Sequence, residues 1–113
     1  MSGGEHIEFE HSSGNIFEDI GFDKATAERL THKADLVGVL YNYQRERDLS
    51  QVAFSSLVGI PQPRLSKLYN GKFAGMSTDK LLDAITRLGG RVTIRVESHP
   101  APAEAGRVQL ELV

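Results

Sequence analysis

Leu49-Ser50-Gln51-Val52-Ala53-Phe54-Ser55-Ser56-Leu57-Val58-Gly59-Ile60-Pro61-Gln62-Pro63-Arg64-Leu65-Ser66-Lys67-Leu68-Tyr69-Asn70-Gly71-Lys72 is the stretch that decides the architecture. Ser50 offers a side-chain oxygen to cap a helix over residues 51–58, and Gly59 stops it. A second short helix begins at Pro61 or Gln62, where a proline in the first turn loses no needed hydrogen bond, and it ends before Gly71. Phe54, Val58, Ile60, Leu65 and Leu68 then fall where two helices crossing steeply over a tight turn must bury apolar side chains. Ser55 is small enough for the crossing, and Gly59 tolerates the positive φ that the turn favours. The spacing reads as a helix-turn-helix over about residues 50–71.

The outward positions of its second helix, residues 61–70, are Gln62, Arg64, Ser66, Lys67 and Asn70, all able to hydrogen-bond and none acidic. A helix of this kind fits the major groove of B-DNA, its N-terminal residues meeting base edges. Gln62 suits a bidentate pair with adenine, and Arg64 or Lys67 suits guanine O6 and N7. Gln62, Arg64, Ser66 and Lys67 are therefore the candidate base contacts. Gln51 at a helix N-terminus, with Asn70 and Lys72 beyond the recognition helix, is expected to hold phosphates and set the register.

On the N-terminal side, Asp23 can cap a long helix in which Ala27, Leu30, Ala34, Val37, Leu40 and Tyr41 recur at three- and four-residue steps, ending near Asp48. Before it, Ile16, Phe17, Ile20 and Phe22 are too apolar to leave in water and are expected to dock on the domain or on a partner. On the C-terminal side, Ser77 opens a further helix carrying Leu81, Leu82, Ile85 and Leu88, which ends at Gly89 and Gly90. Residues 91–97 and 107–112 alternate with period two and read as strands separated by a Pro/Ala-rich loop at 98–106. The expected fold is mainly α, four to five helices with a C-terminal β-strand extension. It divides into a flexible acidic arm at 1–14, with a short strand at 6–10, a DNA-binding domain at 15–90 and a β extension at 91–113. Val92, Ile94 and Val96 could pair with Val108, Leu110 and Leu112 in one chain or cross a two-fold axis. Because an exposed edge needs cover, the extension is read as a dimerisation element.

Composition sets the bounds. The 113 residues fit one domain with appended structure. Apolar residues at 40% and charged residues at 25% match an ordinary globular chain. No apolar run approaches the ~20 residues of a membrane span, and the start Met-Ser-Gly-Gly-Glu-His lacks the basic and apolar regions of a secretory signal. A cytoplasmic location is expected. The net charge of -2 runs against the basic character usual for nucleic-acid binders. Its distribution does not, since residues 1–22 hold Glu5, Glu8, Glu10, Glu18 and Asp19 with no Lys or Arg, whereas residues 49–78 hold Arg64, Lys67 and Lys72 with no acid. The absence of cysteine excludes disulfides and zinc ribbons, and His6, His11, His32 and His99 lack metal-ligand spacing, so no metal or cofactor is expected. With neither a nucleophile–base pair nor a phosphate-cradling glycine loop, the sequence points away from an enzyme.

Leu49-Ser50-Gln51 with the run from Gly59 to Lys72 resembles the lambda-repressor/Cro-like (XRE-type) family of DNA-binding domains. With Asn15-Ile16-Phe17-Glu18-Asp19-Ile20-Gly21-Phe22, the long first helix and the segment after Gly90, the chain is similar to the HigA-type antitoxins of host-inhibition toxin–antitoxin pairs. The resemblance covers about residues 15–97. It departs at Ser55, where Ala is usual, at Phe54, larger than usual, and at residues 107–113, which extend past the common pattern. The resemblance implies a ribonuclease-like toxin as partner, its neutralisation, and autorepression of a shared operon. The homodimer read from the exposed edge would set two recognition helices in successive major grooves roughly 34 Å apart, so the operator is expected to be an inverted repeat. A stand-alone phage-type or metabolic regulator, and a protein-interaction module indifferent to DNA, are the competing readings.

Overall fold

A computed structural model describes residues 15–98 and 108–112. The acidic arm at 1–14, with the short strand expected at 6–10, lies outside the described residues, as do residues 99–107. Five helices follow one another: α1 (Asn15–Asp19), α2 (Lys24–Glu46), α3 (Gln51–Val58), α4 (Gln62–Tyr69) and α5 (Thr78–Arg87).

Local chemistry sets their ends. Asp23 accepts from the Thr26 backbone N–H at 2.8 Å and opens α2. Ser50 Oγ accepts from Ala53 N–H and Ser77 Oγ from Lys80 N–H, both at 3.1 Å, opening α3 and α5. Such caps satisfy donors that have no partner inside the helix. Pro61 precedes α4 without a side-chain cap, its fixed φ supplying the entry instead. Asp48, at φ 55, turns the chain between α2 and α3.

The core is one cluster in which Val37 and Leu40 of α2, Phe54 and Val58 of α3, Ile60, Leu65 and Leu68 of α4 and its approach, and Leu81 of α5 are fully buried. Phe73 and Met76 reach into it from the loop between α4 and α5. Thus α2 and α5 flank the α3–α4 pair and hold it from behind. Leu36 is buried where Leu30 and Ala34, read from the periodicity, only pack at the margin.

Two expectations concern the ends of the domain. Phe17 docks on the core and meets Phe22 edge-on at 6.4 Å, while Ile20 and Phe22 remain exposed. Among the described residues there is no strand: 91–98 and 108–112 form no sheet. Alternation gives a segment two faces, but a strand also needs a neighbour for its backbone N–H and C=O groups. The C-terminal β extension is therefore absent from the described residues of the single chain. Among the described residues of this region only Leu110 packs against the core, while Ile94 and Val96 are 76% and 83% exposed.

Candidate nucleic-acid interface

The geometry of α3 and α4 begins at Gly59. Its φ of 72 is the left-handed conformation, and a Cβ there would lie 2.9 Å from Nη1 of Arg87, whose guanidinium covers the turn. Arg87 is held in place by Asp83 at 3.0 Å. Ser55 Oγ donates to the Ile60 carbonyl at 2.6 Å, so the serine at the helix crossing satisfies a carbonyl that the turn leaves without a helical partner.

The far end of α4 is tied down by a second device. Tyr69 Oη donates to Gln44 Oε1 at 2.6 Å, and Gln44 Nε2 donates to the Leu49 carbonyl at 3.0 Å. Tyr69 also meets Tyr41 edge-on at 5.1 Å. Burial pushes the Tyr69 hydroxyl above its usual range, keeping it a neutral donor. The chain of hydrogen bonds links α2, the approach to α3 and the end of α4, so both helices of the pair are positioned together.

On this frame the candidate residues divide. Gln51 and Gln62 are brought together, Gln62 Nε2 donating to Gln51 Oε1 at 2.7 Å. One amide N–H of Gln62 is thereby used, leaving its other N–H and its oxygen for a bidentate base contact, while the Gln51 amide group keeps its donors. Ser66 is half-buried and Lys67 exposed on the same helix. Asn70 Nδ2 donates to the Ser66 carbonyl at 2.9 Å, leaving one amide N–H for a phosphate. Lys72 is exposed just beyond, where the left-handed Gly71 turns the chain. Arg64, expected as a base contact, donates from its Nη2 to the carbonyl of Gly75 in the loop before α5 and keeps its other donors.

That loop and α5 add a residue missed by sequence reasoning. A groove of about 560 Å3 runs between the start of α4 and the start of α5, and Arg64, Lys67, Ser77 and Lys80 line it. Lys80 lies outside the 49–78 window whose charge is conspicuous in the sequence, and only tertiary packing places it beside Arg64. Among the described residues no group of His, Asp or Glu is arranged to hold a metal ion, and no helix is long and apolar enough to cross a membrane.

The profile of a family described as a helix-turn-helix domain matches residues 16–97. The chain belongs to this helix-turn-helix family. A solved structure named as an XRE family transcriptional regulator is similar to it at 30% sequence identity and a TM-score of 0.67, the match covering 78% of this chain and 99% of the other. No curated protein sequence matches. The XRE-type helix-turn-helix thus accounts for α1 to α5 as a unit, and its matched region runs past α5 through the extended segment at 91–97.

Proposed function

We propose that this XRE-type helix-turn-helix protein is a sequence-specific DNA-binding transcriptional repressor that seats α4 in the major groove. The observation that carries the reading is the Gln51–Gln62 hydrogen bond on an outer face without a single acid. A glutamine held by a second glutamine enters the groove already oriented, so little side-chain freedom is lost on contact. In this reading Gln62, Ser66 and Lys67 meet base edges, and Gln51, Asn70 and Lys72 meet phosphates. The test is a mobility-shift titration of the full chain on the DNA upstream of its own gene at low salt. Saturable retention of one segment that resists excess unrelated duplex is expected; equal affinity for all duplexes, or none, overturns the reading.

A finer reading is that the protein is the antitoxin of a type II toxin–antitoxin pair and autoregulates its operon as a homodimer. Its support is the likeness of the 15–22 segment to HigA-type antitoxins, together with the exposed Ile20 and Phe22 beside Glu18, Asp19 and Asp23, an apolar and acidic surface suited to a basic protein. The neighbouring reading frame expressed alone should arrest growth, and the two proteins should co-purify. A neighbour that is harmless, or that fails to co-purify, leaves a stand-alone regulator.

A further inference from the structure

Arg64, Lys67 and Lys80 come from two helices and line one groove in which no Asp or Glu takes part. We infer that this groove is a second anion site, a clamp for a backbone phosphate of the duplex held on α4, with Arg64 and Lys80 as its jaws. The inference rests on the DNA-binding reading above and moves Arg64 from base reading to backbone contact.

Three observations carry it. Arg64 is anchored, one of its guanidinium N–H groups being used on the Gly75 carbonyl. A guanidinium has five donors in a planar fork, so the anchor fixes its plane and leaves donors for an anion. Gly75 suits the arrangement: it is left-handed, and a Cβ there would stand 3.2 Å from Arg64 Nη2, close enough that the guanidinium would have to shift slightly. Across the groove, Lys80 is half-buried and lines the same groove, its apolar stem packing while its ammonium stays available to an anion. Cations lining one groove without a carboxylate among the lining residues together attract an anion more strongly than one alone.

The backbone of the bound duplex is the occupant that geometry favours. Pro61, Arg64 and Lys67 of the groove belong to the entry and first turns of α4, the helix placed in the major groove. A strand flanking that groove must run beside those turns, and DNA carries a charge every ≈ 1.7 Å of helix axis.

The experiment measures affinity of the full chain for its preferred duplex, for single-base variants of it and for unrelated DNA, across a range of salt. Wild type, Arg64→Gln, Lys80→Gln and the double variant are compared, with circular dichroism and thermal unfolding confirming that each is folded. Each single variant is expected to bind every duplex roughly five-fold more weakly near 0.15 M salt and to lower the salt slope by about one unit, the double variant by about two. The ranking of the base variants should stay as in wild type. Unchanged affinity and slope in Lys80→Gln, or a changed base ranking in Arg64→Gln, overturns the clamp while leaving DNA binding intact. Failure of wild type to prefer any duplex overturns instead the reading on which the clamp rests.

Discussion

At the scale of single residues, the Gln51–Gln62 pair separates two kinds of contact that look alike in a sequence. A side chain that holds only phosphate lowers affinity for all DNA when removed, whereas one that orients a base reader alters choice. Gln62→Ala should therefore cost about 1–3 kcal/mol of discrimination at one base pair. Gln51→Ala should weaken preference at that same base pair, with a smaller general loss, because Gln62 loses the acceptor for its Nε2. Binding titrations over the four base pairs at each position check this, and a uniform loss from Gln51→Ala would return that residue to a pure phosphate role. Gly59 makes a different kind of demand. Gly59→Ala places an L side chain at φ 72 and a Cβ against Arg87, and should destabilise the domain by about 1–2 kcal/mol. For a domain of this size the thermal midpoint should fall by roughly 4–16 °C, measured by circular dichroism; a midpoint within about a degree of wild type would mean that the turn relaxes at no cost.

At the scale of elements, helix ends are legible in the sequence because their causes are local. Ser50, Ser77, Asp23 and Gly59 each act within four residues of themselves, and each does what its type predicts. The core positions of α3 and α4 are equally legible, since the crossing permits few spacings. Arg64 is not: the Gly75 carbonyl it meets is eleven residues away and belongs to a loop without periodicity. Lys80 is hidden for the same reason, and the period-two pattern at 91–97 and 107–112 misleads because alternation does not supply a neighbour to pair with. The Asp23 cap carries a pH signature. Hydrogen bonds from the Thr26 backbone and side chain lower the Asp23 carboxyl from its ordinary range. A folded-state value below the unfolded one means that the cap's charge-linked stabilisation is complete above about pH 4 and is lost as pH falls through the lowered value. The gap in urea midpoint between wild type and Asp23→Ala should accordingly be larger at pH 7 than at pH 2.5. A gap of constant size would show that the carboxylate charge adds nothing to the cap.

At the scale of the whole molecule, the described segment at 91–98 adds no fully buried side chain to the core. Val92, Ile94 and Val96 alternate with Arg91, Thr93 and Arg95, and the two outermost apolar side chains are 76% and 83% exposed. Where this segment leaves α5 at Gly89 and Gly90, an apolar groove of about 210 Å3 lies open between Val39, Tyr43, Ile85 and Leu88. An unpaired apolar segment beside an open apolar groove would suit a two-fold axis under which the segment of each copy fills the groove of the other. A dimer of that kind would also present two α4 helices, and inverted half-sites one helical turn apart require a pair about 34 Å apart. The double variant Ile94→Asp/Val96→Asp places two charges in this contact without touching a buried side chain. In sedimentation equilibrium, wild type is expected as a dimer and the variant as a monomer. Mass action further requires the wild-type thermal midpoint to rise with protein concentration and the variant's to stay constant. Operator binding should change with it, from one cooperative transition on an inverted repeat to weak, independent occupancy of half-sites. A variant that still sediments as a dimer would place the two-fold contact elsewhere, and a wild type that is monomeric at every concentration would remove the paired-groove geometry altogether.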